Sequence, residues 1–332
     1  MVRFPPDQSR RRLLRDCVVL GAATLPDSSR TATVEYDLLE PEGMPYAAFD
    51  RMPFESVQIG DALIRVVFGP GEFDLPRQRI VDYVQQSAHT VALYFGKFPA
   101  PVARLLVLNT TSPGRAIRSG TAFGYRGAAV KLSLAAKVTA AELERDWILV
   151  HEMSHLALPS LPRRHHWFEE GMASYVEPLA RAQSGLLSAE RVWVDMVNGM
   201  PQGLPQSGDQ GLDRTHTWGR TYWGGALFCL LADTKIRETT DGHRSLQHAL
   251  RAILVHGNIE LQSAIEPLLE IGDRATGTVV LAGLYARMKD SPSPVDLAKL
   301  WDQLGVRVAA GGIEFDDAAP LAAIRVAMTR RL

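Results

Sequence analysis

His151-Glu152-Met153-Ser154-His155 sets two imidazoles four positions apart with a carboxylate between them. On a helix, residues four apart lie one above the other on a single face. Two imidazoles so placed can grip one metal ion while the intervening glutamate points at a water on that ion. Neutral imidazole suits Zn2+, and a carboxylate can take the water's proton. The chemistry implied is hydrolysis. A string of this form arises by chance in about one chain of this length in a hundred, so the surrounding residues must support it.

A catalytic zinc usually takes three protein ligands and a water, which leaves one ligand to find. Trp167-Phe168-Glu169-Glu170-Gly171 offers two carboxylates. Glu170 is the better placed for two reasons. It adjoins Gly171, whose missing side chain would let two helices approach closely, and it shares a helix face with Glu177, seven residues on. Glu177 is itself placed to accept a hydrogen bond from a ligand histidine. Glu169 would then face away, toward solvent or a basic neighbour such as Arg163 or Arg164. His165 and His166 read as solvated or capping histidines of a loop.

One zinc per chain, held by His151, His155 and Glu170, would lower the pKa of its bound water towards about 7. Glu152 would accept the water's proton and pass it to a leaving amine. The oxyanion that forms needs a second donor besides the metal. Tyr222, within Arg220-Thr221-Tyr222-Trp223-Gly224-Gly225-Ala226-Leu227, is the candidate, with His216 as an alternative. Spacing alone equally describes Tyr222 as a core aromatic.

The elements that must position these groups follow from periodicity and breakers. Residues 1–33 are polar and Arg-rich, and read as a flexible arm. Short β-prone runs fill Thr33 to Phe68, ending at Gly69-Pro70-Gly71. Ile80, Val84, Ala88, Val91 and Phe95 recur at helical spacing, so a helix is expected from Pro76 to Phe95. Val102 to Leu108 reads as a buried strand, and Thr121 to Leu134 as one or two more. Thr139-Ala140-Ala141-Glu142 has the form of a capping box. It should open one helix carrying Leu143, Trp147, His151 and His155, ended by Pro159 and Pro162.

A second helix is expected from His166 to Val176, with Pro178 just beyond. A glycine-rich loop from Gly199 to Gly211 should precede a third, Trp218 to Ile236. Stretches 244–304 and 320–330 look helical. The chain therefore reads as α+β, with a sheet-containing lobe over 34–165 that includes the zinc-motif helix, and a mostly helical lobe over 166–332.

Composition bounds the partners. At 332 residues, with 46% hydrophobic and 22% charged, the chain can bury a large core. A net charge of −1 gives no electrostatic reason to expect nucleic acid or an anionic membrane. No apolar run approaches the roughly 18–20 residues of a membrane span. Arg10-Arg11-Arg12-Leu13-Leu14 followed by Cys17 to Leu25 resembles an export signal, but Arg15 and Asp16 interrupt it. A cytoplasmic location is thereby slightly favoured over a periplasmic or secreted one. Cys17 and Cys229 are the only cysteines, and nothing in the sequence requires them to pair.

Taken together, the motifs resemble those of the gluzincin aminopeptidases of the alanyl- and glycyl-aminopeptidase type, and of the smaller peptidase MA-like domains. The run Glu170-Gly171-Met172-Ala173-Ser174-Tyr175-Val176-Glu177 is similar to that family's second zinc motif. The resemblance implies Glu170 as the third ligand and Glu177 as the histidine's acceptor. It also implies Tyr222 as the catalytic tyrosine, a thermolysin-like fold, and a peptide or protein substrate. It covers roughly residues 75–235. The family's Gly-x-Met-Glu-Asn segment, whose glutamate holds a free amino terminus, corresponds to Gly120-Thr121-Ala122-Phe123-Gly124, with Phe123 at the carboxylate position. The expectation is a zinc metallopeptidase of undefined end preference. The alternatives are a catalytically inactive protein on a peptidase fold, or a zinc hydrolase of non-peptide amides.

Overall fold

The computed structural model describes residues 43–49, 51–110, 115–309 and 312–332. The arm expected over 1–33, with Cys17 and the export-like segment, lies outside the described residues. A short helix α1 (Tyr46–Phe49) precedes a five-stranded mixed sheet ordered β1-β2-β3-β5-β4. Its strands are β1 (Glu55–Ile59), β2 (Ala62–Phe68), β3 (Val102–Thr110), β4 (Ile117–Phe123) and β5 (Ala129–Ala135). β2, β3 and β5 run parallel, while β1 and β4 pair antiparallel at the two edges. A parallel pair needs a crossover, and α2 (Arg77–Phe95) supplies it between β2 and β3.

Successive strand residues point to opposite faces, and both faces of this sheet are covered. Val66, Leu105, Val107, Val130 and Leu132 belong to the main core with α2 and the helices that follow. Val67, Leu106, Phe123 and Ala129 lie on the other face, under Met44, Tyr46 and Phe49.

The single helix expected from Thr139 to His155 is two helices, α3 (Ala140–Glu144) and α4 (Ile148–His155). The capping box is present, with Thr139 and Glu142 bonding reciprocally. The break has a physical cause. The side chain of Asp146 accepts from the Leu149 amide (3.1 Å) and from the Tyr83 hydroxyl, which starts a fresh helix at α4.

The next helix also departs from expectation. α5 runs from His166 to Gln183, seven residues past Val176, with Pro178 inside it. Proline removes one helical hydrogen bond, but Leu179, Ala180, Ala182 and Gln183 are buried beyond it, and their packing carries the helix through. α6 (Ala189–Gly199) and a 3-10 turn (Met200–Gly203) occupy the approach to, and the start of, the expected glycine loop.

The third helix opens as a wide π-type turn (Arg220–Gly224) before α7 (Gly225–Thr239). Then come α8 (Leu246–His256), α9 (Ile265–Thr276), α10 (Val280–Met288) and α11 (Leu297–Leu304). A hairpin of β6 (Val306–Ala309) and β7 (Gly312–Phe315) and a final helix α12 (Ala322–Thr329) close the chain. The architecture is α+β, with the large sheet first and helices predominant after it. Among the described residues no helix is long and apolar enough to cross a membrane.

Candidate metal centre

The site begins with α4, which lies against the edge strand β4 and against α5. The helix is apolar on the faces it buries, through Ile148, Leu149, Val150 and Met153, and it brings His151 and His155 together on one face, lining a cleft. Their rings sit 4.9 Å apart and nearly perpendicular, at 80°. α5 brings in the third group because it packs tightly. A Cβ on Gly171 would lie 2.2 Å from the Gly225 backbone, so only glycine lets α5 and α7 approach this closely.

The three candidate ligand atoms converge. His151 Nε2 is 3.3 Å from Glu170 Oε2, His155 Nε2 is 3.3 Å from His151 Nε2, and His155 Nε2 is 3.6 Å from Glu170 Oε2. A tetrahedral zinc with bonds of about 2.0–2.1 Å separates its ligand atoms by about 3.3–3.4 Å. The donor set and its spacing fit that ion. His151, His155 and Glu170 form a group that could hold a metal.

The electrostatics follow from crowding charges in a buried place. Burial raises the Glu170 carboxyl, yet the charge and hydrogen bonds of His155 and His151 outweigh it and hold it well below the usual carboxylate range. Burial lowers His155, but the Glu170 carboxylate, helped by Glu152 and Glu169, brings it up to about 9. Glu152 is raised, first by burial and then by Glu170, against the opposing pull of both histidines and the Ala122 amide. A raised, buried carboxylate facing a metal site is suited to general-base work.

These groups line a cleft of about 410 Å3 together with Gly120 to Tyr125 of the β4 edge, His166, Glu169 and Tyr222. Tyr222 is buried and stacks on Trp218, with ring centroids 5.9 Å apart. Its π-type turn is a feature frequently found at functional sites. His216 is exposed and is not among the cleft residues.

Several neighbours stand differently from the sequence reading. His165 is not solvated: it is fully buried, 3.1 Å from the Tyr285 hydroxyl and 3.3 Å from Asp213 Oδ2. Its partners come from distant parts of the chain, which local sequence does not show. Glu169 pairs with neither Arg163 nor Arg164. It accepts from the Leu161 amide (2.9 Å) and contacts His166 (3.2 Å). His166, read from the sequence as a solvated or capping loop histidine, is the first residue of α5 and sits on the rim of the cleft.

Glu177 is buried and takes Arg181 Nη1 at 2.9 Å, one turn along its own helix. His151 Nδ1 is buried without a hydrogen-bond partner, so no bond from Glu177 reaches it. Phe123 turns its ring into the cluster on the far face of the sheet, so its side chain is core and its backbone borders the cleft.

A loop from about a hundred residues downstream borders the cleft. Ile259 and Gln262 line it. The loop is stapled to the segment after α4 by Ile259 N to Leu156 O (3.1 Å), Ser160 Oγ to Ile259 O (2.7 Å) and Ser160 N to Leu261 O (2.8 Å). On the sheet side Glu260 Oε1 accepts from the Ala128 amide at 3.2 Å.

No family model and no curated protein sequence matches the chain. Solved structures do. An M1 zinc metallopeptidase from Deinococcus radiodurans superposes with a TM-score of 0.45 at 17% identity, over 73% of this chain and 52% of that one. The aminopeptidase N family protein from Idiomarina loihiensis gives a TM-score of 0.59 at 15% identity, over 76% of this chain and 49% of its own length. The chain thus spans about half the length of these structures, and at such identities the likeness is one of fold. The fold of this chain is similar to that of an aminopeptidase N family protein.

Proposed function

We propose that the protein is a zinc-dependent metallopeptidase of gluzincin type, with a thermolysin-like catalytic core and a single zinc held by His151, His155 and Glu170. The observation that carries this reading is the 3.3–3.6 Å triangle of ligand atoms, which matches the edges of a tetrahedral zinc site. In this reading the cleft lies between a sheet-containing lobe over 34–165 and a helical lobe over 166–332.

Bound zinc would supply Lewis acidity, polarising the scissile carbonyl and making a water acidic near neutral pH. The rest falls to the chain. Glu152, buried beside the ligands with its carboxyl raised, takes the proton from the attacking water and delivers it to the departing amine. Tyr222, which lines the cleft, would offer its hydroxyl to the oxyanion as charge develops there. The β4 edge offers backbone groups to an extended peptide, which would lie beside it as a further strand. Glu177 fixes its helix by pairing with Arg181 one turn along it.

The test is metal content together with hydrolysis of a mixed peptide set. The purified protein should hold about one zinc per chain and cleave peptides until a chelator is added. Glu152→Gln should keep the zinc and lose turnover by about 10²–10⁴-fold. A protein with no zinc at its intact ligands would sink the proposal. Zinc retained without any cleavage would reassign the chain to non-peptide substrates or to binding alone.

A further inference from the structure

His166 opens α5 and reaches both carboxylates of the motif with opposite edges of its ring. Its Nδ1 lies 3.2 Å from Glu169 Oε2, and its Nε2 lies 3.4 Å from Glu170 Oε1. The two oxygens of Glu170 are thus shared out. Oε2 faces His151 and His155, and Oε1 faces His166. Glu169 is anchored in turn, since its other oxygen accepts from the Leu161 amide at 2.9 Å. A continuous chain of contacts runs from the Leu161 backbone through Glu169 and His166 to Glu170 and the two histidines.

An i,i+4 histidine-carboxylate contact on a helix surface ordinarily contributes little. Two features set this one apart. Its Nδ1 bonds Glu169 Oε2 while its Nε2 lies within ion-pair distance of Glu170 Oε1, so the ring stands between the two carboxylates although its side chain is 47% exposed at the cleft rim. One of its partners is also a candidate metal ligand. A carboxylate left to itself can turn about its last torsion and bind a metal through one oxygen or both. One held at Oε1 presents only Oε2. Partners behind the ligands tune metal sites in this way, and their loss typically costs about 10–100-fold in metal affinity or activity.

We propose that His166 is a positioning residue that holds Glu170 as a single-oxygen ligand of the metal. This rests on the reading of His151, His155 and Glu170 as a metal site. His166 stands outside the converging group formed by His151, His155 and Glu170.

The test measures the zinc dissociation constant of the intact protein by competition with a chromophoric chelator. It is run for wild type, His166→Ala and His166→Gln. The visible spectrum of the Co2+-substituted proteins and the melting temperature of the metal-free proteins are recorded alongside. His166→Ala should bind zinc about 10–100-fold more weakly. Its Co2+ bands should weaken as Glu170 turns to offer both oxygens, and its metal-free melting temperature should equal that of wild type. His166→Gln, whose amide can still donate to Oε1, should recover most of the affinity.

Unchanged zinc affinity and spectrum in His166→Ala would overturn the proposal. So would a loss of affinity matched by an equal loss of metal-free stability with no rescue by glutamine, because His166 would then serve folding alone. A wild-type protein that takes up no zinc overturns both this inference and the metallopeptidase reading. Zinc-loaded wild type with an indifferent His166→Ala overturns this inference only.

Discussion

Gly120 of the edge strand and Glu152 of α4 are in such close contact that a Cβ on Gly120 would lie 2.4 Å from Glu152 Cγ. The same atom would meet Ile148 Cγ2 at 2.9 Å, so the strand and the helix leave no room for a methyl group. The absence of a side chain at 120 is what lets Glu152 lie along the strand and meet the Ala122 amide. Gly120→Ala must push the carboxylate or the strand aside. Misplacing a catalytic group by about 1 Å costs on the order of 10²-fold. The variant is expected to lose peptide turnover by about that factor while keeping its zinc, as metal analysis and steady-state rates on the same preparation would show.

Tyr222→Phe separates the two readings of this tyrosine. If its hydroxyl meets the oxyanion, kcat should fall by about 10²–10³-fold with KM and zinc content little changed. If the ring serves only to pack on Trp218, turnover should be untouched. Steady-state kinetics with a fluorogenic peptide decides between them.

Zinc uptake should release a proton. In the metal-free protein His155 is raised to about 9, because Glu170 and its neighbours overcome the lowering effect of burial. At pH 7 the imidazole is therefore protonated, and the metal must displace that proton to bind. The sign is fixed: apparent affinity rises with pH, by about tenfold per unit from pH 7 until it levels near the imidazole's own value. Calorimetry at pH 7 in buffers of different ionisation enthalpy should report close to one proton released per zinc.

Gly171→Ala tests the approach of α5 to α7. The new methyl carbon would fall 2.2 Å from the Gly225 backbone, where no flexible side chain can yield. Overpacking of this kind costs about 1–3 kcal/mol or more. Thermal unfolding should show a lower midpoint, and zinc should bind more weakly because Glu170 rides on the displaced helix. An unaltered midpoint and affinity would show that the helices are not held this close.

Much of the centre was legible because its signal is local. His151, His155 and Glu170 fall within two consecutive helices, and the spacing that identifies them is the spacing that aligns them. Gly171 next to Glu170 announced a close approach, and the structure supplies the backbone it approaches. What escaped the sequence depends on partners far along the chain. The break before α4 turns on Asp146 meeting Tyr83, sixty-three positions earlier. Pro178 reads as a stop until the burial of the residues after it is known. His165 reads as a loop histidine until Asp213 and Tyr285 are seen around it. Phe123 looked like a substitution within the cleft. Strand alternation turns its ring to the far face of the sheet, among the aromatic and aliphatic side chains before β1.

The stapled loop beside the cleft has a consequence in time. Glu170 precedes Ile259 by 89 positions. During synthesis every candidate ligand is present long before Ile259 and Gln262, which wall one side of the cleft. A growing chain would own its metal grip first and its substrate boundary only later. Until Ile259 reaches Ser160 and Leu156, the centre is chemically equipped but sterically unframed. The wall formed by Ile259 and Gln262 is the last part of the cleft to be made.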